Sequence, residues 1–338
     1  MVKNILITGG CGFLGQYIVR DILEAFPDSI IKVIDLKKNQ MPVIDHLKNP
    51  RVKTLLNKDI CNYDNIKLDF KDVDTVIHLA GIVSFSIKDK DLLQEVNVEG
   101  TKNVLKAINE NKVKNSIHIS SVAALGYNDK KDSPINETYK FDWKIAKSKK
   151  KYYMLTKHLA DVEIEKSAKF NALILYPGLM FGPGDVTNSA RLIKAIQDRK
   201  IPFNMPGGTN IIDVRDISKG IIDSIKNNIQ KGHYLLSGYN LEFKQVNATI
   251  ANQLKVKPPK NTLPRFLNPL MFRLLLLAEV LSKKKLELTA DNVDSAFKYR
   301  YFSNKKAENN FGWKPEISFK QTITDTIDWM NENGLLTK

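Results

Sequence analysis

The strongest constraint on the fold of this chain is a glycine-rich turn between an apolar strand and an amphipathic helix. Residues 4–8 form a short apolar run, and residues 14–26 carry apolar side chains at helical spacing. Gly9, Gly12 and Gly15 lie between or at the start of these segments. Glycines in such a turn allow tight turning, the close approach of a pyrophosphate and close packing of helix on strand. The pattern therefore predicts a dinucleotide-binding strand, turn and helix.

Two further features extend this predicted site. The first turn of the helix, at Phe13 and Leu14, offers free amides and a positive dipole end to a phosphate. Asp35 lies 20 residues beyond the last glycine, at the end of a second apolar run. A carboxylate there can accept hydrogen bonds from the adenosine ribose hydroxyls and repels a ribose phosphate. NAD is the expected cofactor, and Lys37 and Lys38 leave NADP open.

Apolar strands continue to alternate with helices along the first half of the chain. Further strands are expected at 30–36, 52–56, 73–79, 116–120 and 172–176, and further helices at 91–110 and 152–168. Largely apolar strands that alternate with helices indicate a parallel sheet covered on both faces. The predicted fold class is α/β, a doubly wound parallel sheet.

The strand and helix rhythm weakens after Tyr176, where proline and glycine turns become frequent. We expect a dinucleotide-binding domain at 1–176, with returning segments near 209–237 that include strands at 211–214 and 233–236. A smaller, substrate-binding lobe should comprise 177–208 and 238–338. It should end in an amphipathic helix at 319–330.

Composition limits the partners and the setting. The 338 residues carry a formal net charge of +15, but the lysines are spread along the chain without a nucleic-acid recognition motif. The lysine clusters at 147–151 and 283–285 are interpreted as solvated faces, so no nucleic acid is expected. Two cysteines, Cys11 and Cys61, provide neither a disulfide framework nor a zinc site. With no secretory signal at the N-terminus, a cytoplasmic setting is expected.

The segment 266–281 is the most apolar stretch of the second half. Asn268, Pro269, Arg273 and Glu279 interrupt it, and it is shorter than a membrane span. A helix that covers a substrate pocket or a subunit contact is the favoured interpretation. Peripheral membrane contact through 266–285 is the alternative, since three lysines follow the apolar residues.

A tyrosine and a lysine four residues apart supply the candidate chemistry. Tyr153 and Lys157 share one face of the helix predicted at 152–168. A nearby cation favours the phenolate and makes proton exchange with a substrate hydroxyl feasible near neutral pH. The helix follows the strand that ends at Ser120 and Ser121, and serines at that end of a parallel strand face the ligand crevice.

The sequence resembles the extended short-chain dehydrogenases/reductases, the superfamily that also holds nucleotide-sugar epimerases and dehydratases. The resemblance covers nearly the whole chain, and the motifs that carry it are Thr8 to Gly15, Asp59-Ile60, His78-Leu79-Ala80-Gly81, Asn97 to Thr101, Ser120-Ser121, Tyr153 to Lys157, Pro177 to Asp185, Asp213 to Asp216 and Gly312 to Pro315.

This resemblance implies a Rossmann fold and a set of residue roles. Tyr153 would donate or accept the proton, Lys157 would bind the nicotinamide ribose and lower the phenol pKa, and Ser121 would hold the substrate oxygen. Asn97 would steady the central helix, and His78 would be scaffold near the cofactor, with no metal. The remaining cofactor-binding positions would be Asp59, Ile60, Leu79, Ala80, Gly81, Pro177 and Leu179.

Tyr176 departs from the arginine that many sugar-modifying members carry before the proline of this segment. The change favours the branch that resembles 3-beta-hydroxysteroid dehydrogenases and dihydroflavonol reductases. We expect an NAD(P)-dependent oxidoreductase that acts on a secondary alcohol or ketone of a small, partly apolar substrate. A nucleotide-sugar 4-epimerase or dehydratase is the alternative, and retention of the serine, tyrosine and lysine disfavours a non-catalytic dinucleotide sensor. Homodimers through the helices near 91–110 and 152–168 are usual in this superfamily.

Overall fold

The computed structural model describes residues 3–37, 39 and 45–336. Its strands are β1 Asn4–Thr8, β2 Ile30–Ile34, β3 Val52–Leu55, β4 Thr75–His78, β5 Asn115–Ile119, β6 Asn171–Pro177, β7 Leu179–Phe181, β8 Gly208–Asp213, β9 Gly232–Leu236 and β10 Tyr239–Glu242.

The helices follow the strands in alternation through the first half of the chain and dominate the last third. They are α1 Phe13–Ala25, α2 Tyr63–Ile66, α3 Lys90–Leu93, α4 Gly100–Glu110, α5 Trp143–Ser148, α6 Tyr152–Ser167, α7 Ser189–Gln197, α8 Val214–Lys226, α9 Phe243–Gln253, α10 Asn268–Leu281, α11 Ala290–Ala296, α12 Lys305–Phe311 and α13 Phe319–Glu332.

A seven-stranded parallel sheet carries the site. Its strand order is β3-β2-β1-β4-β5-β6-β9, so the order reverses between β1 and β4. Ligands of open parallel sheets bind outside the carboxyl ends of the strands at such a reversal. The predicted doubly wound α/β fold is confirmed.

The two faces of this sheet are buried in different clusters, as the alternation of side chains along a strand requires. Ile5 and Ile7 of β1 pack with residues of α1 and α8, including Ile18 and Ile221. Leu6 points to the opposite face, into a cluster that includes residues of α2 and α4. Each such fully buried aliphatic side chain contributes about 1.5–3 kcal/mol relative to exposure. Burial on both faces explains why these strands read as continuous apolar runs.

The helix expected at 91–110 is divided. α3 and α4 flank a π-helical segment, Gln94–Glu99, which widens the helix where it passes the loop that follows β4. Such π segments interrupt α-helices frequently at functional sites. Spacing of apolar residues does not reveal one extra residue in a turn, so a single helix was the simpler prediction.

A second sheet of three strands, in the order β10-β8-β7, lies outside the large sheet. Of the two strands expected to return to the first domain, β9 joins the large sheet beside β6. β8 instead pairs with β7 and β10, because β9 already occupies the open edge of β6. α8 nevertheless packs against α1. The division of the chain into two lobes at the predicted boundaries stays a prediction.

The apolar segment at 266–281 forms α10, preceded by a short 3-10 turn. The carboxylate of Glu279 is buried and accepts hydrogen bonds from the amides of Ile87 and Ala290, which anchors one side of the helix. The opposite side exposes a row of apolar side chains, namely Phe266, Leu270, Leu274, Leu277 and Leu281. Within the part of the chain that the structure describes, no helix is long and apolar enough to cross a membrane.

Candidate active site

A cavity of about 390 Å³ lies at the carboxyl ends of β1, β2 and β4. Thirteen of the predicted cofactor-binding residues line it, from the glycine turn to the helix that carries the tyrosine. They are Gly9, Gly12, Phe13, Leu14, Gly15, Asp35, Asp59, Ile60, Leu79, Ala80, Gly81, Tyr153 and Lys157. Residues far apart in sequence thus converge on one cleft at the strand reversal. We call it the cofactor cavity.

The glycine turn requires glycine at its first and last positions. Gly9 has φ +71°, and a Cβ there would lie 2.8 Å from the amide nitrogen of Ala80. A Cβ on Gly15 would lie 2.5 Å from the carbonyl oxygen of Gly10, inside the van der Waals contact distance. α1 then begins at Phe13 without a side-chain cap or an acidic residue in its first turn. Its free amides and positive dipole end suit a pyrophosphate.

The carboxylate of Asp35 lines the cofactor cavity and also holds the glycine turn in place. It accepts hydrogen bonds from the amides of Cys11 at 3.0 Å and Leu36 at 2.7 Å. Burial raises the pKa of this carboxyl, and those amide hydrogen bonds lower it. Lys37, its neighbour, also lowers that pKa, whereas Lys38 lies outside the described residues.

Asp59 occupies the adjacent wall of the cavity. Its carboxylate accepts a hydrogen bond from the amide of Cys61 at 2.9 Å, and its own amide donates to the side chain of Asn65. The residue that follows it, Ile60, is buried. Both line the cofactor cavity, and their roles toward a cofactor stay predictions.

Two buried polar side chains brace the floor of the cofactor cavity. The imidazole of His78 is hydrogen-bonded through Nδ1 to Thr8 at 2.6 Å and through Nε2 to Thr101 at 3.2 Å. Asn97, in the π-helical segment, accepts from the amide of Ile82 and donates to its carbonyl oxygen. Both ring nitrogens of His78 are therefore engaged. Among the described residues, no group of three or more His, Cys, Asp or Glu side chains is arranged to hold a metal ion.

A second, smaller cavity of about 150 Å³ adjoins the first, and we call it the substrate-side cavity. Val83, Ser120, Tyr153 and Met180 line both cavities, so the phenol lies at the junction. Apolar side chains dominate the remaining wall and include Phe85, Val122, Met154, Leu179 and Phe302. Phe85 packs edge-on against Tyr153, with ring centroids 5.6 Å apart.

The predicted catalytic side chains meet at this junction. The Ser121 hydroxyl lies close enough to Tyr153 to lower the pKa of the phenol. Lys157, one turn along α6, donates from Nζ to the carbonyl oxygen of Ile119 at 3.0 Å. Burial raises the pKa of Tyr153 and lowers that of Lys157. The positive charge that lowers the phenol pKa in this structure belongs to Arg300, and the effect expected of Lys157 stays a prediction.

A series of polar side chains leads from the junction to the protein surface. Ser120 donates to the buried carboxyl of Asp161 at 3.0 Å, and Tyr176 lies close enough to lower the pKa of that carboxyl. The Tyr176 hydroxyl lies 2.8 Å from Nδ1 of His233, whose Nε2 lies 3.2 Å from the exposed carboxylate of Glu165. Burial raises the pKa of Asp161 to about 7. This carboxyl can therefore change its charge near neutral pH.

Two predicted cofactor-binding residues lie elsewhere. Pro177 and Leu179 line the substrate-side cavity, next to Tyr153, and do not line the cofactor cavity. The interpretation of the lysines at 147–151 as a solvated face is wrong for Lys151. Its side chain is 1% exposed, and Nζ pairs with Asp291 at 2.5 Å and Asp294 at 3.1 Å. Two carboxylates from α11 offset the cost of burying this cation.

Sequence reasoning missed Arg300 and Asp161. Asp161 follows Lys157 by four residues on α6, so the helical repeat carried a signal that it shares the inner face. Arg300 lies in an irregular segment after α11, and no local pattern marks it. It reaches the substrate-side cavity because its amide donates to the carbonyl of Gly208, which ties this segment to β8.

The fold and the site together define an extended short-chain dehydrogenase/reductase. The chain belongs to the 3-beta hydroxysteroid dehydrogenase/isomerase family, whose model matches residues 6–262. This family and its neighbours are enzymes that carry out NAD-dependent oxidoreductase-type chemistry.

Named relatives span almost the whole chain. A Synechocystis protein provisionally named a dihydroflavonol 4-reductase is 26% identical over 99% of this chain and 96% of its own length. The decarboxylating sterol-4-alpha-carboxylate 3-dehydrogenase of Mus musculus is 27% identical over 96% and 90%. A solved dTDP-glucose 4,6-dehydratase variant from Streptomyces venezuelae, with NAD bound, has a TM-score of 0.77 at 19% identity, covering 97% of each chain. That structural likeness shows the shared fold.

Proposed function

We propose that this protein is an NAD-dependent oxidoreductase that interconverts a secondary alcohol and a ketone, with Tyr153 as the general acid or base. One observation carries the proposal. Tyr153 lies at the junction of the cofactor cavity and the substrate-side cavity, and Ser121 lines the second of them beside it. A substrate in the second cavity would therefore place its hydroxyl beside both oxygens.

The residues of the cofactor cavity fit a nicotinamide dinucleotide. The uncapped first turn of α1 would bind the pyrophosphate, and Asp35 would accept hydrogen bonds from the adenosine ribose. When bound, the nicotinamide would accept or supply the hydride. We propose that NAD is preferred over NADP, since the half-buried carboxylate of Asp35 would repel a ribose phosphate.

The protein side chains would handle the proton and the substrate oxygen. In the oxidative direction, Tyr153 as phenolate takes the hydroxyl proton while Ser121 donates a hydrogen bond to the substrate oxygen. Lys157, with its ammonium held near this end of the cavity by Ile119, would bind the nicotinamide ribose. The apolar lining supports a small, partly apolar substrate of the steroid or dihydroflavonol class.

Net formation of NADH tests the proposal. We expect a steady rise in nicotinamide absorbance when the protein is mixed with NAD and members of a panel of steroids and cyclic alcohols. A nucleotide-sugar 4-epimerase or dehydratase would instead form product from a nucleotide sugar without net change in the cofactor. That result, with no NADH from any alcohol, would overturn the oxidoreductase assignment in favour of the alternative.

We further propose two lobes with distinct tasks. Residues 1–176, with returning segments near 209–237, would bind the cofactor, and residues 177–208 and 238–338 would bind the substrate.

Peripheral membrane contact through 266–285 is supported by the exposed apolar row of α10 and the lysines that follow it. Flotation with anionic vesicles tests that contact. We also propose a homodimer through the helices near 91–110 and 152–168, which sedimentation tests. The proposed setting is cytoplasmic, and fractionation of cells tests it.

A further inference from the structure

Arg300 is a cation of the substrate-side cavity that no ion pair satisfies. Its side chain is partly buried, and Nε is enclosed without a hydrogen-bond partner among the described residues. The guanidinium makes one long hydrogen bond, 3.4 Å from a terminal nitrogen to Thr209 Oγ1. A buried guanidinium with five donors normally finds carboxylate, phosphate or several acceptors. Nε is enclosed by protein, so it is the terminal nitrogens of the guanidinium that a ligand could reach.

The acidic side chains nearby are already engaged by other cations. Asp291 accepts hydrogen bonds from Lys151 at 2.5 Å and Ser295 at 3.0 Å. Asp294 pairs with Lys151 and with Lys149. Three cations therefore face two carboxylates, and none of the ion pairs within the described residues includes Arg300. Asp291 attracts the guanidinium electrostatically but does not contact it as an ion pair.

The position of this cation relative to the chemistry is also defined. Arg300 lines the same cavity as Ser121 and Tyr153, and its charge acts on the phenol. Its backbone is rigid, since its amide donates to Gly208 at 3.0 Å and its neighbour Phe302 bridges to Ile135. The rest of the cavity wall combines apolar side chains with polar ones, and its two other charged residues, Lys151 and Asp291, pair with each other. A ligand that satisfies this wall carries an apolar body and one anionic group near its reacting carbon.

We propose that Arg300 is a substrate-recognition residue that binds a carboxylate on the alcohol or ketone substrate, so that the substrate class is an apolar hydroxy acid or oxo acid. This inference rests on the proposed function. A carboxylate matches the planar, forked guanidinium in two parallel hydrogen bonds.

Binding to the NAD-loaded protein tests the inference without turnover. The probes are cyclohexanecarboxylate and its uncharged methyl ester, measured by calorimetry with wild type, Arg300→Met and Arg300→Lys. Arg300→Met should weaken carboxylate binding by roughly 10-fold to 100-fold, the usual range for a hydrogen bond to a charged group, and leave ester binding unchanged. Arg300→Lys should retain part of the affinity. Arg265→Met, at an arginine whose side chain is 46% exposed, is the matched control and should bind as wild type does.

Kinetics with 2-hydroxycyclohexanecarboxylate and its methyl ester provide the second measurement. We expect wild type to prefer the acid in kcat/KM and Arg300→Met to lose that preference, with NAD affinity unchanged. Equal carboxylate affinity in wild type and Arg300→Met, or equal losses for acid and ester, would overturn the inference. Arg300-dependent binding of UDP in place of the carboxylate would also overturn it, by assigning the site to a phosphate. Arg300-dependent carboxylate binding without NADH formation from any alcohol would instead count against the proposed function alone.

Discussion

The two cavities that meet at Tyr153 are built in different ways. The cofactor cavity contains the glycine turn at the ends of adjacent strands, and nearly all its residues precede position 160. The substrate-side cavity is lined by residues from six separated parts of the chain, near 85, 123, 153, 180, 209 and 300. Main-chain recognition suits a ligand shared by a whole superfamily, whereas side chains can vary with the substrate.

The largest expected effect comes from the residue at the junction. Tyr153→Phe should lower kcat by roughly 10²–10⁴-fold, because general acid or base catalysis contributes that much. The phenyl ring retains its edge-on packing with Phe85, so NAD affinity should remain within about twofold. Steady-state kinetics and fluorescence titration with NAD measure the two quantities. Unchanged turnover would remove Tyr153 from the chemistry and break the distinction between the two cavities.

Substitutions at the glycines test whether the tight packing of the glycine turn is needed for stability and NAD binding. Gly15→Ala should weaken NAD binding by at least about tenfold and lower stability by about 1–3 kcal/mol, since its Cβ would overlap the Gly10 carbonyl. Gly12→Ala should cost less stability, because its Cβ would lie 3.2 Å from the Gly9 oxygen. Thermal unfolding and NAD titration measure both variants. Equal stability losses would show that strand–helix packing does not determine the identity of Gly15.

Asp35 provides a test at the proposed adenosine end of the cofactor cavity, where a side chain would bind the ribose. Asp35→Asn keeps an oxygen that can accept from the Cys11 amide but removes the charge. NAD affinity should fall roughly tenfold, the effect of one charged hydrogen bond, and the ratio of NAD to NADP affinity should fall with it. Titrations with both cofactors measure the ratio. Asp64→Asn, at a side chain that is 80% exposed, is the control and should leave the ratio of NAD to NADP affinity unchanged. An unchanged ratio in Asp35→Asn would refute the role of Asp35 in cofactor selectivity.

The smallest expected effect is a pH dependence of stability that originates at Asp161, which accepts a hydrogen bond from Ser120. Burial raises the pKa of Asp161 to about 7, above the ordinary carboxyl value of about 4. The native state therefore holds this proton more tightly than the unfolded chain does. The resulting stabilisation is complete below about pH 4 and is lost as the pH rises through about 7. Asp161→Asn should flatten this part of the stability profile, measured by urea unfolding at several pH values.

The same substitution should act on the chemistry. The negative charge of Asp161 raises the pKa of Tyr153, so Asp161→Asn should move the acid limb of the oxidation pH profile to lower pH, by less than about one unit. Glu163→Gln, at a partly exposed position of the same helix, is the control and should leave the profile in place. A shift in the control as large as that in Asp161→Asn would show that the effect is not specific to the buried carboxyl.

The sequence predicted the parts of the fold that repeat locally. The centre of strands such as β1 is continuously apolar because both faces of the sheet are covered, and the sequence shows this burial as an uninterrupted run of apolar residues. The π-helical segment Gln94–Glu99 and the pairing of β8 with β7 were not predictable in this way. The first adds one residue to a turn, and the second depends on which sheet edge is already occupied.

The residues of the candidate site fall into the same two groups, those predictable from local sequence and those that depend on tertiary contacts. The glycine turn, Asp35 and the spacing of Tyr153 and Lys157 follow from one strand, one turn and one helical face, so the sequence by itself determined them. The buried pairing of Lys151, the approach of Arg300 to the phenol and the chain from Asp161 to Glu165 were decided only by the tertiary structure. These contacts join segments more than a hundred residues apart or depend on burial, and neither property is encoded in local spacing.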